Sequence, residues 1–321
     1  VDDGSFGTSI LMNVFKNKLM FNTTTSDLSD MTVSWLQAHK DEDFFLWLHY
    51  FDPHQPYIPQ GEFFPEGKAP PGMSSGFGIK TLAVPLDVVS TQEQRDWIKK
   101  LYFGEVRYVD REINKVFAAL KQLGIYDETL VVLTSDHGEE FWEHDNFAHG
   151  RSLYNEVLRV PLLFKLPGSE YAGRRKTQVS TASIMPTILD LCETDYDDGH
   201  LTAPSLTFCL ANVRPPGGFR ETPLYSTGLL YNEDRQSVIF DGKKFIRSLV
   251  TGREELYDLD ADSGESTSLL PVMPDAADQA RSLLKTFDEY AKAARIFYNI
   301  KDIKAGLDRE TLERLKSLGY I

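Results

Sequence analysis

Two short, uninterrupted apolar runs separated by one long amphipathic helix constrain the fold of this chain more than any other feature. The runs are Phe44-Phe45-Leu46-Trp47-Leu48 and Leu130-Val131-Val132-Leu133-Thr134, and each has the length and composition of a strand buried on both faces of a sheet. Between them Ser90-Thr91-Gln92-Glu93 has the form of a capping box. Trp97, Leu101, Tyr102, Val106, Val109, Ile113, Val116, Phe117 and Leu120 then recur at three- and four-residue steps, and Gly124 stands where the helix should stop. Strand, helix and strand in that order predict a right-handed crossover joining two parallel strands. The expected fold class is α/β, a mainly parallel sheet sandwiched by helices.

A crossover of that kind places the loops after both strands at the same edge of the sheet, the edge where open α/β sheets bind their ligands. Both loops have an unusual composition. After the first run come His49, Asp52 and His54, in a segment where Pro53, Pro56 and Pro59 forbid regular structure. After the second come Asp136-His137-Gly138-Glu139-Glu140, then Glu143, His144 and His149, so that five of the seven histidines fall in these two loops. Asp136 offers hard oxygens and His137 an imidazole nitrogen, while Gly138 lets the backbone turn beside whatever they hold. Each loop alone has a plainer reading: Asp136 as a helix N-cap with the glutamates in its first turn, and the histidines as packing residues among aromatics. Two such loops on one sheet edge favour a metal-centred site on which both converge.

The remainder of the chain changes character. Leu162 to Leu166 is a further strand ended by Pro167-Gly168, and Thr181 to Glu193 has a helical pattern with Pro186 in its first turns. From Leu224 onward short strands predominate: Gln236 to Phe240, the hairpin turn Asp241-Gly242, Lys243 to Leu249, and Glu254 to Tyr257. Helical patterns near Ala276 to Tyr298 and Asp308 to Leu318 close the chain. The division expected is an α/β domain over residues 1–220 and a C-terminal subdomain over 221–321, with a small antiparallel sheet and terminal helices.

Composition limits the partners. The net charge of -14 argues against nucleic acid or an anionic membrane surface, and no apolar run approaches the length of a transmembrane helix. Cys192 and Cys209 are too few for a disulfide framework, although a single bridge between them stays open. Asn22-Thr23-Thr24 is a glycosylation sequon, relevant only in a eukaryote.

Seven motifs, in order, carry a resemblance. They are Leu48-His49-Tyr50-Phe51-Asp52-Pro53-His54-x-Pro-Tyr, Gly104-Glu105-Val106-Arg107-Tyr108-Val109-Asp110, Ser135-Asp136-His137-Gly138-Glu139, His149-Gly150-x-Ser-Leu-Tyr-x-Glu, Arg159-Val160-Pro161-Leu162, Met185-Pro186-Thr187-Ile188-Leu189 and Glu255-Leu256-Tyr257-Asp258-Leu259. From about Asp27 to about Leu270 the chain resembles the later two thirds of a sulfatase, in the alkaline phosphatase superfamily. Neither the paired-Asp metal motif nor the Cys/Ser-x-Pro-Ser-Arg nucleophile motif of that family occurs here, so the expectation is an N-terminally truncated, catalytically inactive chain.

The resemblance implies an alkaline phosphatase-like fold and a hydrolase that cleaves sulfate esters of a small molecule or glycan. It implies Asp136 and His137 as metal ligands, of Ca²⁺ with Zn²⁺ or Mn²⁺ as alternatives. It gives His54 and His149 catalytic roles at the sulfate, His49, Asp52 and Arg151 a place near the substrate, and His144 a supporting place behind it. Arg107 and Asp110, within the helix, are expected to be structural. Family habit favours secretion or the periplasm, though nothing in this chain fixes a location. Two other readings stay open: a phosphoester or phosphonate hydrolase or phosphoryl transferase of the same superfamily, and a non-catalytic module that binds an anionic glycan or a partner.

Overall fold

The structure, a computed structural model, describes residues 24–55, 57–71, 73, 91–169, 172–196, 203–211, 222–229 and 231–297. The expected helix over 308–318, Asn22 of the sequon, and Ser90 lie outside them. The chain divides into two compact units, one of residues 1–131 and 165–170 and the other of 132–164 and 171–321.

The first unit is built on two helices, α1 (Thr25–His39) and α2 (Gln92–Gln122). Both begin with a reciprocal capping box: Thr24 with Asp27 in α1, and Thr91 with Gln94 in α2. The α2 cap therefore sits one residue later than Ser90-x-x-Glu93 suggested, because Gln94 fills the third helical position as well as a glutamate does. Gly124 takes a left-handed φ of 75° beyond the end of α2, as a stop residue should. Leu36 of α1 packs on Val116 and Leu120 of α2. Lys115 ties the same helices together at their rim, 2.9 Å from Asp30 and 2.8 Å from the buried Glu112.

The run Phe44 to Leu48 lies against this helix pair, but it is not the doubly buried strand expected. Phe44, Leu46 and Leu48 pack into the helical cluster, while Phe45 is 67% and Trp47 64% exposed. The alternation is that of an extended backbone with one covered face. No strand is formed there because the segment has no ladder partner among the described residues.

In the second unit β1 (Val131–Thr134), whose first residue belongs to the other unit, pairs with β4 (Leu162–Lys165) in a two-stranded sheet. β1 too is half-buried rather than enclosed on both faces. Between them run the short antiparallel pair β2 (Glu140–Phe141) and β3 (Phe147–Ala148) and the single helical turn α3 (Asn155–Leu158). The helical pattern over 181–193 resolves into a 3-10 turn at Thr181–Ser183 and α4 (Ile184–Leu191), followed by the short α5 (Thr207–Leu210). A large parallel sheet is not seen among the described residues.

The C-terminal sheet is as expected and has one strand more. β5 (Leu224–Thr227), β6 (Arg235–Phe240), β7 (Lys243–Ser248) and β8 (Glu254–Asp258) form an antiparallel meander in chain order. Asp241 and Gly242, at φ 45° and 70°, make the turn between β6 and β7. Val238, Phe245 and Leu256 stand side by side across three strands. That row meets Ala277, Ala280 and Leu284 of α6 (Pro274–Phe297), every one of them buried. The opposite face bears Lys244, Ile246 and Tyr257, and Ile246 and Tyr257 pack on Tyr154. Arg281 clamps the α6 edge through Glu254, with Nε 3.0 Å from its carboxylate.

Replacing Leu284, which is 0% exposed, with alanine should destabilise this unit by about 3 kcal/mol, through lost transfer energy plus the cavity. Trp47→Ser should change stability by less than about 0.5 kcal/mol in the described chain. Denaturant unfolding of the two variants checks the contrast.

Candidate functional site

The Asp136–His149 loop leaves the end of β1. Gly138 fixes its path: its N–H donates to the Val157 carbonyl at 2.7 Å, and a Cβ at this position would stand 2.1 Å from the Glu156 carbonyl oxygen. Only glycine allows the loop to lie this close to α3. Beyond it the β2–β3 hairpin carries three non-glycine residues with left-handed backbones, Trp142, Asp145 and Ala148, at φ 67°, 61° and 70°. Such strain persists where packing over-determines it; here Trp142 stacks on Phe147 at 4.5 Å and its N–H donates to the Asn146 carbonyl at 2.8 Å.

Within that frame the imidazoles are held in defined states. His137 Nδ1 lies 2.8 Å from the Gly138 carbonyl oxygen, an acceptor only, so Nδ1 is the donor of that bond. Asp136 Oδ2 stands 3.7 Å from that Nε2, and Asp136 is an exposed carboxylate. A histidine whose far nitrogen donates to a backbone carbonyl, beside a carboxylate, is the arrangement of metal-ligating side chains. The pair therefore fits a divalent cation, although among the described residues no group of three or more His, Cys, Asp or Glu side chains is arranged to hold one.

His149 stacks on His137 with ring centroids 3.9 Å apart, and its Nδ1 is 2.8 Å from Glu139 Oε1. Glu139, the last residue of the Ser135–Glu139 motif, orients His149, a role the motif does not give. The hairpin register holds the signal: Glu140 pairs with Ala148, so Glu139 and His149 face each other at its open end.

His144 turns the other way. It stacks on Tyr154 at 3.6 Å, Nε2 donates to the Glu265 carbonyl at 3.1 Å, and Nδ1 lies 3.5 Å from Glu156. Arg151 lays its guanidinium over the Tyr231 ring, 4.9 Å from the centroid.

In the other unit, the Pro-rich loop is seated on α2. A Cβ on Gly104 would approach the Phe63 carbonyl oxygen to 2.4 Å, and the Glu105 carboxylate accepts the Ile58 N–H at 2.5 Å. Burial pushes Glu105 up to about 8; the Ile58 N–H opposes the shift and Asp52 adds to it. Burial also raises Asp52, against the pull of the Thr25 hydroxyl that donates to it at 2.5 Å. His54 Nδ1 sits 2.8 Å from the Gln55 carbonyl oxygen, which again puts the proton on Nδ1. Its ring leans on Phe51 at 4.7 Å. His49 is exposed, as are Arg107 and Asp110 on the outer side of α2. Cys192 and Cys209 are both free thiols, so the bridge left open by the sequence is not made. No helix among the described residues is long and apolar enough to cross a membrane.

Comparison with known proteins puts these motifs in context. The family model described as Sulfatase matches residues 5–194. The chain is 30% identical over 240 residues to a protein named "Sulfatase" from Formosa agariphila, and 26% identical over 218 residues to arylsulfatase K of Bos taurus. The matches take in 70% and 64% of this chain but only 45% and 39% of those relatives. Among solved structures, BT4656 in complex with its substrate D-glucosamine-2-N,6-O-disulfate superposes with a TM-score of 0.65 at 19% identity, over 84% of this chain and 69% of that one. The phosphonate monoester hydrolase of Agrobacterium radiobacter gives 0.64 at 20% identity, over 84% and 62%. These likenesses establish the alkaline phosphatase-like fold.

One carboxylate close to the loop is held in an unfavourable state. Glu140 is 0% exposed. Burial pushes it up to about 7, with the Ser152 hydroxyl and His144 acting against the shift and Glu156 adding to it. Both oxygens of Glu140 are buried without a hydrogen-bond partner. A carboxyl raised from near 4.5 contributes no penalty below its unfolded value and destabilises progressively as pH rises through the folded one. Glu140→Gln should therefore stabilise the chain by up to about 3 kcal/mol near pH 8, with the gain vanishing below about pH 4.5. Unfolding midpoints of both proteins across that range check the sign.

Proposed function

The chain belongs to the sulfatase family, and on that footing we propose that it carries the metal-loop part of a sulfuric ester hydrolase acting on a sulfated small molecule or glycan. The observation that supports this best is the tautomer of His137: its Nδ1 proton is committed to the Gly138 carbonyl, and Nε2 is directed beside Asp136. An imidazole and a carboxylate held in this way are two donors of an incomplete cage.

Members of the family generally work with a divalent metal, and we assign Ca²⁺ to Asp136 and His137, with Zn²⁺ or Mn²⁺ as alternatives. When bound, such an ion supplies positive charge to a sulfate oxygen. The remaining work belongs to the protein. His149, oriented by Glu139, in its imidazolium form donates from Nε2 to a sulfate oxygen. His54, with Nδ1 held by the Gln55 carbonyl, serves as general acid in its imidazolium form, in which Nε2 also carries a proton to give to the departing alcohol. Glu105 positions the His54 loop, His49, Asp52 and Arg151 lie towards the substrate, and His144 braces the metal loop from behind. The division into domains over 1–220 and 221–321 accompanies this reading.

A sulfated carbohydrate is the substrate class favoured. BT4656 is seen with D-glucosamine-2-N,6-O-disulfate, and a further neighbour with a TM-score of 0.59, Ps i-CgsB, is seen with k-i-k-neocarrahexaose. The likeness to a phosphonate monoester hydrolase supports a second reading, ester cleavage at phosphorus.

Asp136→Ala should abolish bound metal and turnover together. His54→Ala should keep the metal and lower turnover by about 10²- to 10⁴-fold. Metal content by mass spectrometry, and rates on an aryl sulfate and on a phenyl phosphonate, decide the matter: metal lost from the His54 variant makes His54 a ligand, and faster phosphonate cleavage favours the second reading.

A further inference from the structure

Lys244, on β7, is the one lysine among the described residues that is 0% exposed. Its Nζ stands 2.8 Å from Glu265 Oε1 and donates to Asn155 Oδ1 at 3.1 Å. The carboxylates of Glu156 and Glu140 lie near enough to favour its charge, against a burial that lowers its pKa. Three glutamates from separate stretches of chain thus share one ammonium. His144 is the other basic group of the cluster, between Glu156 and the Glu265 carbonyl. Glu143 acts on Glu140, and Asp262 on His144, from outside it.

We propose that Lys244 is a positioning residue whose buried ammonium fixes α3 and, through α3, the Gly138 backbone from which Asp136, His137 and His149 project. The links are all short. Glu265 holds Lys244 with one oxygen and accepts the Asn155 N–H at 2.6 Å with the other. Asn155 opens α3 and also receives the ammonium on its side chain. Two residues on, the Val157 carbonyl takes the Gly138 N–H at 2.7 Å, and the Glu156 carbonyl leaves no room for a Cβ there. Gly138 in turn supplies the carbonyl that sets the His137 tautomer. A buried ion pair adds little net stability compared with well-packed apolar groups, because desolvation offsets the attraction. The short contact and the hydrogen bonds through Asn155 instead specify one arrangement of the groups around it. The catalytic use of the segment rests on the sulfatase reading; the positioning does not.

Hydrogen exchange on the 321-residue chain tests this without substrate or metal. Lys244→Met leaves the glutamates without their counter-ion, so at about pH 8 exchange at Gly138 and through α3 should accelerate about tenfold after correction for intrinsic rates, while β6 and α6 stay protected. Near pH 5 Glu140 carries a proton and one negative charge of the cluster is gone, so the difference should shrink. Lys244→Met combined with Glu140→Gln removes one negative charge and should restore much of the protection at pH 8. Asn155→Ala keeps the charge and serves if the lysine variant does not fold; it should loosen the same two regions. Loss of protection spread evenly over β6, β8 and α6 at both pH values, a double variant no better than the single one, or unchanged Gly138 exchange in Asn155→Ala would each overturn the proposal.

Discussion

Burial of charge is the constraint on which the second unit is organised. A lysine taken wholly out of water must be met by acceptors at close range, and isolated ions in such surroundings neutralise themselves instead. Lys244 is met by Glu265 and Asn155, and the neighbouring glutamates answer the same need. β7 can then be buried on both faces, with Phe245 against α6 and Lys244 against the loop segment. An apolar residue in place of Lys244 would leave three carboxylates facing one another. The polar side of the sheet is consequently as specific in its partners as the apolar side, and the residues around Asp136 inherit that specificity.

A second device recurs in both units. His54 and His137 each direct Nδ1 to the carbonyl of the following residue, at 2.8 Å in both cases. A contact between neighbours in sequence costs little conformational entropy, because the chain already holds the two groups together. It makes Nδ1 a donor and fixes the orientation of the ring. His149 obtains the same result from Glu139, a carboxylate brought across a two-residue ladder. His144 donates from Nε2 to the Glu265 carbonyl and stacks on Tyr154, which separates a bracing histidine from the three given chemical roles in the proposed mechanism.

Much of this is legible in the sequence because it is local. The capped helix α2, the Asp241-Gly242 turn and the last three strands of the meander are each set by residues within a few positions, and the sequence pattern places them to within one or two residues, whereas the capped helix α1 is not among the expected elements. The clustering of histidines and acids after Leu130 to Thr134 marks the candidate site without a structure. The features that the sequence hides depend on distant partners. Phe44 to Leu48 has the composition of a strand, but strand formation is a property of a pair, and the run adopts only the extended backbone. Lys244 looks like any surface lysine in Lys243-Lys244-Phe245, since Glu265 is remote in sequence. Glu105 stands inside a recognised motif, yet its raised pKa comes from burial beneath the Ile58 segment, which periodicity along α2 does not reveal.

The two raised carboxyls also differ in a way that bears on their use. Glu105 keeps one oxygen bonded to the Ile58 N–H, so its burial is partly offset and it serves as an anchor whether or not it carries a proton. Glu140 has neither oxygen in a hydrogen bond, and its shift to about 7 places the change of charge near neutrality. Each deprotonation of Glu140 adds a negative charge beside Glu156 and strengthens the demand on Lys244. The chain therefore carries, next to its candidate metal loop, a buried charge whose cost depends on pH, and the ammonium of Lys244 is what keeps that cost from being expressed as movement of α3.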